Sequence, residues 1–182
     1  MNAIEPSDTH LMRELAAGSP DALGPLYLRH GRMVKSVLMR LEPGIDPAVV
    51  DDLAQEVFLT LTSTSGRYRD QGRLKSWLCG IAARKLRDWR KKRRTRLRLL
   101  RQYDDPVSPT TAPRPDDQAA AREALARALA ALSPDSREVL VLHHMEGLSA
   151  EQIGEALRIS PNTVWTRLHR ARAAMKQALE AR

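Results

Sequence analysis

The sequence predicts an all-α protein of two small helical domains, residues 8–101 and 119–182, joined by a flexible linker over 102–118. Three observations point there. Aromatic residues are only 4% of the 182, and apolar side chains recur every three or four positions, the period of a helix. Residues 104–117 hold four prolines and four acids with no helical period, so they cannot bury enough apolar surface to fold alone. Beyond them, helix starts are marked by Ser133-Pro134, by Ser149 with Gln152, and by Ser160-Pro161, which are cap-then-proline and capping-box signals.

Each element follows from its own residues. Leu11, Leu15, Leu23, Leu26, Tyr27, Val34, Leu38 and Leu41 suit two helices broken near Gly18, Ser19 and Pro20. The turn Glu42-Pro43-Gly44-Ile45-Asp46-Pro47 stops the second. Over 48–62, Val50, Leu53, Ala54, Val57, Phe58 and Leu61 form one apolar stripe, while Asp51, Asp52, Gln55 and Glu56 occupy another face. Residues 63–72 read as a polar loop. A long helix spans 74–100, with Trp77, Leu78, Ile81, Ala82 and Leu86 on its apolar side and strongly basic later turns. In the second domain a helix over 119–132 precedes one over 135–146, which ends at Gly147. Two more helices start at Ser149 and Ser160, making four.

Charge is concentrated. Between 84 and 101 there are 11 Lys or Arg and one acid, Asp88, so this stretch is more positive than the +8 of the whole chain. A nucleic-acid surface requires such clustering. No apolar run approaches the roughly 18 residues that span a bilayer. The N-terminus lacks the basic start and apolar core of a signal peptide, so the cytoplasm is the expected compartment. One cysteine, Cys79, allows no internal disulfide and falls short of a zinc set. His143, His144 and Glu146 come nearest to a catalytic or metal cluster. Adjacent helical positions diverge by roughly 100°, however, and no further ligand follows at helical spacing. Neither an enzyme nor a cofactor is expected, and the histidines belong at the edge of the C-terminal core.

The stretch 149–172 reads as a helix-turn-helix. Ile153, Leu157, Ile159, Val164 and Leu168 fall where the motif needs apolar residues, and the small Gly154 sits where its two helices approach. The second helix carries Thr163, Thr166, Arg167, His169, Arg170 and Arg172. Hydroxyls and guanidiniums on one helix suit a groove of DNA. Arg158 occupies the turn, where glycine is usual; a left-handed arginine costs about 1 kcal/mol.

Together the two halves resemble a bacterial RNA polymerase sigma factor of the extracytoplasmic-function type. The first half carries Asp51-Asp52-Leu53-Ala54-Gln55-Glu56-Val57-Phe58, then Trp77-Leu78-Cys79-Gly80-Ile81-Ala82 followed by Asp88 and Arg90. These are similar to sigma region two. The second half carries Leu132-Ser133-Pro134, Arg137-Glu138-Val139-Leu140, Gly147-Leu148-Ser149 and Thr163-Val164 with Arg167-Leu168-His169-Arg170-Ala171-Arg172, similar to region four. Arg84, Arg158 and Trp165 depart from the family's habits of Asn, Gly and a basic residue.

The resemblance implies a set of partners. Asp51, Asp52, Gln55, Glu56 and Leu59 would dock on the largest subunit of core RNA polymerase, whose beta and beta-prime subunits are the implied partners of the chain as a whole. An acidic face on a basic protein also fits a basic protein partner on charge alone. Arg67, Tyr68, Arg84, Arg87, Asp88, Arg90 and Lys91 would contact the −10 promoter element, and Asn162, Thr163, Trp165, Thr166, Arg167, His169 and Arg170 the −35 element. An anti-sigma factor is a further implied partner, and the chain itself is expected to be a monomer. The alternative on sequence is a free-standing helix-turn-helix regulator, which leaves the acidic helix without a purpose.

Overall fold

The computed structural model describes residues 6–69, 72–100 and 117–180, which contain no strand. The N-terminal half begins with α1 (Asp8–Ala16), where the Ser7 hydroxyl accepts from the His10 N–H at 3.2 Å. A 3-10 turn (Pro20–Ala22) leads into α2 (Leu23–Leu41). Asp46 then caps α3 (Pro47–Thr64), accepting from the Ala48 N–H at 2.8 Å. The long α4 (Leu74–Leu100) packs on both α2 and α3. The C-terminal half comprises α5 (Asp117–Ala130), α6 (Pro134–Leu140), α7 (Ala150–Leu157) and α8 (Pro161–Glu180).

The apolar stripes meet as their spacing requires. Leu26, Leu38, Phe58, Leu61, Leu78 and Leu86 are buried between α2, α3 and α4, and Leu129, Leu142, Ile153, Val164 and Leu168 fill the C-terminal half. These residues are not in two separate cores. They belong to one continuous cluster, because α7 lies directly on α4. At the crossing Gly80 is fully tucked in; a Cβ there would sit 2.7 Å from the Ala156 carbonyl oxygen. Only glycine lets the two backbones approach so closely.

Two predicted boundaries are corrected. The loop expected over 63–72 begins later: α3 continues to Thr64 and a 3-10 turn (Ser65–Arg67) follows. The Thr64 and Ser63 hydroxyls donate to the Thr60 carbonyl at 2.7 and 3.1 Å. Back-bonded in this way, polar residues that read as loop are satisfied within a helix. The helix expected over 135–146 is α-helical only to Leu140 and widens to a π-turn at Val141–Met145. The Glu146 N–H reaches back five residues to the Val141 carbonyl at 3.1 Å. Val141 and Leu142, like Val139 and Leu140 before them, are buried. The linker expected over 102–118 lies outside the described residues except for its last two positions, which open α5.

Candidate polymerase and nucleic-acid interfaces

The α3 face emerges as expected. Asp51, Asp52, Gln55, Glu56 and Leu59 are all exposed, while Leu53, Ala54, Val57 and Phe58 on the opposite side are buried. Asp51 is met by Lys35 at 2.8 Å and Glu56 by Lys85 at 3.1 Å. Asp52 and Gln55 stay open between them. Leu59 is 60% exposed. It joins Leu23, Tyr27, Leu28 and Phe58 around a shallow cleft of about 400 Å³. Leu28, on α2, is 85% exposed and was not among the residues expected here. It falls between the buried positions of α2, so periodicity assigns it only to the outer side. That it sits beside Leu59 depends on how α2 packs on α3.

The expected −10 residues lie along one seam. Trp77, Gly80 and Arg84 follow one another on α4 and line a cleft of about 330 Å³ with Arg67, Tyr68, Arg73, Glu155 and Arg158. Tyr68 stacks on Trp77, ring centroids 4.8 Å apart and planes 20° apart. Tyr68 is thus half-buried against its own chain. Arg84, Asp88 and Lys91 are exposed. Arg87 and Arg90 are not free. Arg87 donates to the Ala83 carbonyl at 3.3 Å and lies 3.8 Å from Glu138. The Arg90 side chain is only 12% exposed; it donates to Glu42 at 2.7 Å, to the Leu41 carbonyl, and lies 3.6 Å from Glu138. In this conformation the Arg90 guanidinium is largely covered, whereas the Arg87 side chain remains 44% exposed. The position of Arg90 on α4 points it at the end of α2.

The helix-turn-helix forms as its caps dictate. Ser149 and Gln152 make a reciprocal capping box at the start of α7. Arg158 adopts φ 59°, the left-handed region, at the turn. A Cβ on Gly154 would meet the Ile159 carbonyl at 2.8 Å, so the turn closes onto α7 there. Ser160 caps α8, accepting from the Thr163 N–H at 3.1 Å. Val164, Leu168 and Ala171 are buried, leaving Asn162, Trp165, Thr166, His169 and Arg170 exposed on the outer face. Thr163 is partly covered, its hydroxyl 2.8 Å from that of Ser160. Arg167 is held by Asp135 on α6. Trp165 packs edge-on to His143 at 5.7 Å.

Comparison with known proteins decides the family. The family model "Sigma-70 region 2" matches residues 26–96, and "Sigma-70, region 4" matches residues 122–175. RNA polymerase sigma factor CarQ of Myxococcus xanthus is 33% identical over 168 residues, covering 92% of this chain and 95% of that protein. ECF RNA polymerase sigma factor ShbA of Streptomyces griseus is 34% identical over 162 residues, covering 86% and 83%. The structure of CnrH in complex with the cytosolic domain of CnrY is similar at a TM-score of 0.67 and 28% identity, over 94% of this chain and 96% of CnrH. The chain belongs to the extracytoplasmic-function sigma factors of the sigma-70 family. Its function is promoter-specific initiation of transcription with RNA polymerase.

Within this sigma factor the leftover chemistry is structural. Cys79 is fully buried; burial above all, with the Glu146 charge, pushes its thiol up to about 12. A thiol held protonated is a poor nucleophile and a poor oxidant sensor. The His143 and His144 rings do not diverge as α-helical geometry implied; the π-turn brings them to 4.9 Å, edge to face. His143 bonds the Leu148 carbonyl through Nδ1 at 2.9 Å, and Arg172 donates to His144 Nε2 at 3.3 Å. No group of His, Cys, Asp and Glu among the described residues is arranged to hold a metal ion. No helix among them is long and apolar enough to cross a membrane.

Proposed function

We propose that this sigma factor works through three surfaces, two of them for DNA and one for core polymerase, as a non-enzymatic cytoplasmic factor. The open face of α3, with Asp51, Asp52, Gln55, Glu56 and Leu59, docks on the largest subunit of core. The single observation that carries this is an acidic rim around an exposed leucine pair, Leu28 and Leu59, on a chain of net charge +8. Such a face repels DNA and suits a basic protein helix with apolar residues at its centre. The stripe Arg84, Arg87, Asp88 and Lys91, with Arg67 and Tyr68, holds the −10 strand, Arg90 joining it once its contacts to Glu42 and Glu138 part. Bases can stack on aromatic rings there while guanidiniums follow the backbone.

The outer face of α8 enters the major groove at the −35 element. Asn162, Thr163, Trp165, Thr166, Arg167, His169 and Arg170 are its reading positions, and the Ser160 cap leaves the first N–H groups of α8 pointing at phosphate. The linker lets two weak contacts act as one. An anti-sigma factor would cover the same faces. Among solved relatives, CnrH is in complex with the cytosolic domain of CnrY, and the sigma factor RpoE of Bartonella quintana with the anti-sigma factor NepR. The test is transcription from a fragmented genomic library by purified protein with core enzyme. Specific starts sharing −10 and −35 elements are expected. A specific footprint without core, and no specific start with it, would instead favour the free-standing regulator.

A further inference from the structure

His143 and His144 have no part in the three surfaces, yet their rings lead to one of them. The π-turn at Val141–Met145 sets the His143 ring edge-to-face against His144, at 4.9 Å and 72°, and against Trp165 of α8, at 5.7 Å and 74°. Both spacings fall in the range where the edge of one ring attracts the face of another. A carbonyl can only accept, so His143 Nδ1 carries a proton and donates to Leu148 at 2.9 Å. That bond braces the half-buried ring. Arg172 donates to His144 Nε2 at 3.3 Å. Trp165 is thus the last member of a contact chain that runs Arg172, His144, His143, Trp165. Even so, the tryptophan is 49% exposed. Of the Trp, Tyr and Phe side chains among the described residues, no other is exposed.

Several polar groups around the indole are already committed. Thr166 donates its hydroxyl to the Asn162 carbonyl at 2.9 Å, Thr163 shares its own with Ser160 at 2.8 Å, and Arg167 is held by Asp135. Polar reading is left chiefly to the exposed side chains of Asn162, His169 and Arg170, while Trp165 offers a broad apolar surface in the second turn of α8. An indole has one N–H donor and no acceptor. It cannot make the paired hydrogen bonds by which arginine reads guanine or asparagine reads adenine. The one apolar group that unmodified base pairs show in the major groove is the methyl of thymine. We propose that Trp165 reads a thymine methyl in the −35 element, and that His143, set by the π-turn, is the positioning residue that holds the indole against it. This rests on the assignment of the outer face of α8 to the −35 element. A tryptophan has only two χ angles to fix, and a braced one gives up little of that freedom on binding. His143 acts through Trp165 rather than on a base.

Deoxyuridine isolates the methyl, since it pairs as thymine does and lacks only that group. Holoenzyme is challenged with promoter duplexes in which each thymine of the −35 element, on either strand, is replaced in turn. At one position the wild-type protein should lose about fourfold in affinity, the worth of one buried methyl group. Trp165→Ala should bind the two duplexes equally. His143→Ala should bring their ratio down, and His143→Phe, which restores a ring at that place, should bring it back. A His143 that only supports the fold would lower affinity for both duplexes alike and leave the ratio unchanged, and that result would remove its positioning role. A −35 element without an A·T pair, no position sensitive to the methyl, or equal sensitivity in Trp165→Ala would each overturn the proposal. Scrambling the whole −35 element keeps the two failures apart. Indifference of the holoenzyme to scrambling would remove the assignment of α8, and the proposal with it. Weaker binding on scrambling, with no thymine methyl that matters, would leave α8 as the reader and remove only the part given to Trp165.

Discussion

Single residues carry much of the local design. Arg158 is the one non-glycine among the described residues with positive φ. Left-handed backbone costs an L-residue about 1–2 kcal/mol, part of which a glycine returns through greater freedom of the unfolded chain. Arg158→Gly should therefore stabilise the protein by about 0.5–1 kcal/mol, read as a higher denaturant midpoint; an unchanged or lower midpoint would show that the side chain itself contributes. Asp8 offers a second test. It anchors α1 to α2 through Arg29 and through His30 at 2.8 Å. Burial pushes its carboxyl up, but the hydrogen bonds and charges of Arg29 and His30 outweigh that and hold it below the ordinary 3.8. A depressed carboxylate contributes stability above its unfolded value and loses it as pH falls through the folded one. Acid below about pH 4 should thus loosen wild type more than Asp8→Asn, by amide exchange in α1.

At the scale of elements, α3 separates folding from binding. Its buried side, Val50 to Leu61, holds the N-terminal core, and its open side contributes nothing to that core. Leu59→Lys should leave the melting temperature nearly unchanged. It should weaken capture of core polymerase by at least about fivefold, the loss of more than 1 kcal/mol typical of a central apolar contact. Competition against a labelled sigma factor for core measures this, and full retention of affinity would remove Leu59 from the interface. The face was legible in sequence because four polar residues at helical spacing oppose an apolar stripe. Leu28 was not, since its neighbour Leu59 lies on a different helix. The π-turn at Val141–Met145 was equally invisible, because it depends on what α8 and α7 leave room for.

At the scale of the whole molecule, the buried apolar residues of both halves, among those described, form one cluster. Thermal unfolding followed by circular dichroism and by calorimetry should therefore show one coincident transition. Two separated transitions in the wild-type chain would mean that the halves do not support each other. The same packing explains why Arg90 reads as a DNA contact in sequence yet is mostly covered in the structure. Helical spacing places it on the basic side of α4, but the end of α2 and Glu138 arrive there only when α2, α4 and α6 are packed.

Local pattern was enough to specify the helices, their caps, the helix-turn-helix, the acidic face of α3 and the family. Those features are written in spacings of three or four residues and in caps that act within one turn, so neighbouring residues suffice to set them. Closure of the second half onto α4 came from packing alone. That contact joins Gly80 to Ala156 and Arg137 to Leu41, pairs far apart in the chain, and it rests on matched shape and charge between surfaces that no local pattern brings together.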